Sequence, residues 1–145
     1  MKKILLCMLL FSLGFNAFTQ EIGIRFGDIS GGSVAIDGVL ATTKYTRLHA
    51  DVSFGNGVGL DVLWDFLYKP IGGEAFNWYV GAGPYAWFHD PFYLGVAGEL
   101  GLEYRFNKVP IAIGADWRPT LSIIESTDFY ADKFGLNVRW IFGKK

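Results

Sequence analysis

The stretch FYLGVAGELGLEYRF, residues 92–106, decides how this chain folds. Every second residue from Phe92 reads Phe, Leu, Val, Gly, Leu, Leu, Tyr, Phe. The interleaved set from Tyr93 reads Tyr, Gly, Ala, Glu, Gly, Glu, Arg. Successive side chains of a strand point to opposite faces. The alternation therefore describes a ribbon with one oily face that ends in aromatics and one face of small or charged groups. Either a protein core or a hydrocarbon phase must cover the oily side.

The same parity recurs along the chain. Strands are expected at 21–27, 33–40, 44–54, 58–68, 75–88, 92–106, 109–122 and 134–142. Segments rich in Gly, Pro, Asn and Asp separate most of them, at 28–32, 55–57, 69–74, 89–91, 107–108 and 125–133. No stretch keeps a 3.6-residue period. The polar parity collects Arg25, Arg47, His49, Asp51, Asp61, Asp65, Glu99, Glu103, Arg105, Asp116, Arg118 and Arg139, together with Glu21 and Asp37. The oily parity collects the aliphatic residues and the aromatics Phe54, Trp64, Phe66, Tyr68, Phe76, Trp78, Phe88, Phe92, Tyr104, Phe106, Trp117, Phe134, Trp140 and Phe142. Short turns preserve both sets, with Phe54 set opposite Val58 and Phe106 opposite Val109. Eight antiparallel strands joined this way suit an all-β, closed up-and-down barrel.

At 145 residues, 51% hydrophobic and 17% aromatic, with a net charge of −1, the chain reads as one domain without a basic patch for nucleic acid. Lys2 and Lys3 followed by the apolar run from Ile4 to Phe15 have the form of a secretory signal, with Ala17 and Thr19 as the small residues before the cut. Residues 1–19 are thus expected to be a signal peptide and residues 20–145 the barrel domain. The single cysteine, Cys7, lies inside that signal, so the exported domain has neither thiol chemistry nor a disulfide.

A soluble barrel would point the oily set inward, and a membrane barrel would point it outward. Volume favours outward. An eight-stranded lumen is only wide enough for side chains to fill; the tryptophans, phenylalanines and aliphatics would overfill it, whereas the glycine-rich charged set fits. Cation type agrees. All five arginines fall on the polar parity, while the eight lysines sit in the signal, at strand ends, in turns or at the tail. A confined polar interior favours the guanidinium fork, which meets a carboxylate at two points. The oily-face aromatics also gather towards strand ends, in two bands with aliphatics between, as in the girdles of outer-membrane barrels.

Over residues 21–142 the pattern resembles the small eight-stranded outer-membrane barrels of Gram-negative bacteria, typified by the transmembrane domain of outer-membrane protein A and by outer-membrane protein X. The resemblance implies a transmembrane barrel bathed in outer-membrane lipid and inserted by the barrel-insertion machinery. That machinery reads a terminal aromatic on the last strand. Phe142 holds the place here, followed by Gly143-Lys144-Lys145.

Any chemistry would lie in the polar set. Pairing across the turn at 55–57 puts Arg47 opposite Asp65 and Asp51 opposite Asp61. The second pair needs an arginine between the carboxylates or a shared proton. His49, Asp51 and Ser53 share a face but stand roughly 6.6 Å apart along a strand, too far for the contacts of a nucleophilic triad. His49 with Asp51 and Asp61 offers only one histidine to a metal. Trp87 shares the inward parity of Tyr79 and Tyr85: either the three rings plug the lumen, or Pro84 marks a bulge that resets the register. The expectation is a monomeric outer-membrane barrel with a plugged charged interior, structural or in contact with lipid or a partner, and without catalytic residues, cofactor or metal. The loop from Glu125 to Lys133 (ESTDFYADK) is the candidate partner surface. The alternatives are a narrow ion or proton channel, a lipid-modifying enzyme of the outer membrane, and a secreted lipocalin-like carrier of an apolar ligand.

Overall fold

The computed structural model describes residues 3–4, 20–29, 32–72, 75–124 and 127–142. The expected signal peptide with Cys7, the start of the loop at 125 and the tail 143–145 lie outside the described residues, apart from 3–4. Ten strand segments follow in order: β1 (Gln20–Ile29), β2 (Gly32–Ala41), β3 (Arg47–Gly55), β4 (Gly57–Pro70), β5 (Phe76–Phe88), β6 (Tyr93–Arg105), β7 (Ile111–Trp117), β8 (Thr120–Ser122), β9 (Phe129–Tyr130) and β10 (Phe134–Phe142). All pairings are antiparallel. β7 and β8 together form the seventh stave, and β9 and β10 the eighth. The β1–β10 and β5–β6 pairings complete a closed up-and-down barrel of eight staves. Gln20 pairs with Phe142, so both ends of the barrel domain lie at one rim, here called proximal.

The parity read from sequence survives folding. Ile22, Ile24, Phe26, Trp64, Leu102, Leu136 and Trp140 face outward, and Trp64 is 58% exposed. The acids and arginines of the other parity are buried, with Arg105 half-buried at the proximal rim. Phe54 pairs with Val58 as expected, and Gly57 takes a φ of 112° that a side chain would resist, so the tight turn needs its glycine. Phe76, Tyr104 and Phe106 pack edge to face at the proximal rim, with centroids 4.9 Å apart; Phe88 and Phe92 lie 5.4 Å apart at the distal one.

Four details differ from the expected pattern. The third stave begins at Arg47 rather than residue 44, because Thr42 and Thr43 turn back to the Thr46 carbonyl. Phe106 bonds Ile111 rather than facing Val109, since Pro110 has no N–H with which to open the ladder. The seventh stave is interrupted at Arg118–Pro119 without slipping: Trp117 pairs with Leu100 before the gap and Thr120 with Ala97 after it. A bulge between Asp65 and Leu67 reverses the parity at the end of β4. Tyr68, assigned from sequence to the outer wall, therefore turns inward: its hydroxyl donates to Glu103 Oε2 at 2.7 Å.

Pro84 causes no bulge. The β5–β6 register runs unbroken from Phe76–Tyr104 to Trp87–Tyr93, so Tyr79 and Tyr85 are buried in the lumen and Trp87 stands at its distal mouth. The plug is the alternative realised. Small inward residues make room for it, and a Cβ on Gly101 would collide with the Tyr79 ring opposite. Gly101→Val should therefore overpack the lumen and cost about 1–3 kcal/mol. A urea midpoint equal to the wild type would contradict this placement of the ring.

Candidate functional site

Inward side chains from every stave meet in a lumen too narrow for water to separate them, and the result is a charged network. Its centre is Arg118, at the break in the seventh stave. Its guanidinium donates to Asp51 at 2.6 Å, Asp61 at 3.3 Å and Glu99 at 2.9 Å. Asp51 and Asp61 pair across β3–β4, and the cation that lets both sit there comes from the opposite wall. Of the two solutions open from sequence, an arginine between the carboxylates is the one found.

The other arginines repeat the scheme. Arg25 grips Asp116 through Nε and Nη2, at 3.0 and 2.6 Å, and donates from Nη1 to the Asp28 carbonyl. Arg47 meets Asp65 at 3.1 Å, as its register position required, and reaches Glu103 at 3.2 Å. Its guanidinium also lies over the Tyr68 and Tyr79 rings, 4.1 and 4.7 Å from their centroids. Arg139 bridges Glu103 and Asp37, the latter at 3.3 Å, and approaches Glu21 at 3.6 Å. Arg105 closes the proximal end on Glu21 and Glu103. Every member of the predicted charge network enters it, and Glu21 and Asp37 join.

His49 is wholly buried, with Nε2 against Asp37 and Nδ1 2.8 Å from Glu99. Two hydrogen bonds of this kind need two protons shared between the ring and its acids, so both nitrogens are committed. Neither is left to act as a base towards Ser53, and Asp51 stands 3.6 Å from Nε2. Ligand atoms of Asp37, His49 and Asp51, and of His49, Asp65 and Glu99, converge within 4.8 Å of one another. Arg139 already pairs with Asp37, and Arg118 with Asp51 and Glu99, so these acids are charge-compensated without a cation. The arrangement cross-links the walls and fills the space; it presents no aligned nucleophile and base.

Three parts of the interior were missed from sequence. Tyr68 lay beyond the bulge, although the run Phe66-Leu67-Tyr68 breaks the alternation and was the available signal. Asn137 is buried beside Asp116, at 3.5 Å, on a strand whose neighbouring inward residues are Gly135 and Arg139. Leu63, Tyr85 and Ala97 form a small apolar layer above the charges; Leu63 follows the parity of Asp61 and Asp65.

Arg118→Met should leave Asp51, Asp61 and Glu99 facing one another and cost about 3–5 kcal/mol in urea unfolding. Arg118→Lys should recover only part, because one ammonium cannot serve three carboxylates in the same fork geometry. Tyr68→Phe tests the bulge separately: an inward hydroxyl bonded to Glu103 predicts a loss of about 1–3 kcal/mol, and an outward ring predicts none. A comparison with models of known protein families finds no match to this chain, and a comparison with curated proteins finds none either.

Proposed function

We propose that this chain is an integral barrel of the bacterial outer membrane. Its charged interior is structural, and its work lies in contact with lipid or a partner rather than in catalysis. The observation that carries the reading is the inversion of the barrel. Arginines and carboxylates fill the lumen, while large aliphatic and aromatic side chains cover the outside on every stave. Exposed apolar patches beyond a few hundred Å² mark a surface meant for a partner or a membrane. Moving each such side chain from water to hydrocarbon is worth roughly 1–2 kcal/mol, so a wall of them supplies on the order of tens of kcal/mol.

Closure supports the same reading, because a barrel without edges satisfies its backbone groups where no water can. The aromatic clusters at both rims fit the two polar–apolar boundaries of a bilayer. The signal-like N-terminus supplies a route of export. A carrier of an apolar ligand would want an apolar lumen, and this one is crossed by ion pairs. A channel would want a continuous polar path, whereas Arg118 reaches from the seventh stave to Asp51 on the third at 2.6 Å.

The full chain, expressed with its N-terminal segment in a Gram-negative host, should fractionate with the outer membrane. Its mobility on SDS gels should change on boiling, and its conductance in planar bilayers should stay near that of bare lipid. Leu136→Arg on the outer wall should destabilise the inserted protein by about 2–4 kcal/mol if the site lies at mid-bilayer. A water-soluble periplasmic product without the gel shift would sink the proposal.

A further inference from the structure

The distal mouth holds a cavity of about 620 Å³, within the range of small-molecule sites. Its walls are aromatic: Tyr85 and Trp87 from β5, Tyr93 from β6 and Tyr130 from β9. The rings are held in place. Trp87 stacks on Tyr93 with centroids 5.2 Å apart, stacks on His89 at 4.8 Å, and donates its indole N–H to the Asn56 carbonyl at 3.0 Å. A wall fixed in this way loses little conformational freedom when a flat ligand lies against it.

Lys133 is the only charged residue among those lining the cavity. Its ammonium lies 5.8 Å from the centroid of the Tyr85 ring and 5.4 Å from that of Tyr130. Among the described residues it has no salt-bridge partner, so ring faces rather than a carboxylate compensate its charge. Burial depresses its pKa, the mark of an ammonium that has given up part of its hydration. The contrast with the lumen below is sharp: every arginine there is paired with an acid. Ser33 and Ser122 add hydroxyls to the lining.

We propose that this mouth binds a small organic anion with a flat ring, of the aromatic carboxylate class, with the carboxylate on Lys133 and the ring against the Trp87–Tyr93 wall. The site depends on the mouth alone and stands whether the barrel lies in a membrane or in water.

The test is a fluorine NMR titration of the purified full chain with para-fluorobenzoate. Para-fluorobenzamide serves as the neutral isostere and protein-free solution of the same detergent as the blank. Wild type should bind the benzoate saturably and at least about fivefold more tightly than the amide, a preference that one desolvated charge contact can supply. Lys133→Met should erase that preference, and Trp87→Leu should weaken both probes; far-UV circular dichroism identical to wild type verifies each fold. The benzoate–amide comparison on wild type decides the matter without any variant. Equal affinity for the two probes, no saturation above the blank, or a preference that survives Lys133→Met would overturn the site.

Discussion

An eight-stave circle has room inside for side chains and little else, and this chain fills that room with charges. Each charge brought there loses its water, a penalty that only close pairing recovers. The geometry of the interior follows from that pressure. Arg118, Arg25, Arg47 and Arg139 each take acids from staves that are not their sequence neighbours, so the ion pairs run across the barrel as crossbars. Register follows too. A slip of one residue on any stave would carry its charges to the outside and its aliphatics to the inside, so the ladders have one acceptable alignment. Such a network is weak evidence for extra stability over an apolar core; its effect is on which alignment is reached.

Because the lumen is tight, large and small residues have to alternate across it. Glycine stands opposite or beside each bulky inward group: Gly101 by Tyr79, Gly95 by Tyr85, Gly135 by Arg25, Gly81 by Asp65. The barrel thereby divides into layers. Arginine and carboxylate occupy the proximal and central parts, a thin apolar layer of Leu63, Tyr85 and Ala97 lies above, and the distal mouth is lined by rings with one cation. Any exchange with the surroundings falls to the outer wall and to that mouth, since the middle is spent on satisfying itself.

Much of this was legible in the amino-acid order, for a plain reason. A strand's side-chain period is two, and a closed barrel keeps one parity for every stave, so sorting residues by parity sorts them by inside and outside. The charge network and nearly all of the wall aromatics came out of that sorting, and the Arg47–Asp65 pair came out of counting across a turn. Parity fails where a ladder is interrupted. The bulge after Asp65 sent Tyr68 inward, and Pro110 widened a turn that looked like two residues. An extra residue or a missing N–H changes the face of everything beyond it, and neither event has a strong local signature.

The chain's own order thus determined the eight staves, their two faces, the confinement of arginine to one of them and the pairing across tight turns. Only the closed structure decided which distant partners meet: that Arg118 separates Asp51 from Asp61, that His49 spends both nitrogens on Asp37 and Glu99, that Trp87 and its neighbours cap the mouth around Lys133. The division has one cause. Facing is a local property of the pleat, read along a single strand, whereas contact across a lumen depends on the stagger of all the strands at once, which is set when the first stave closes on the last.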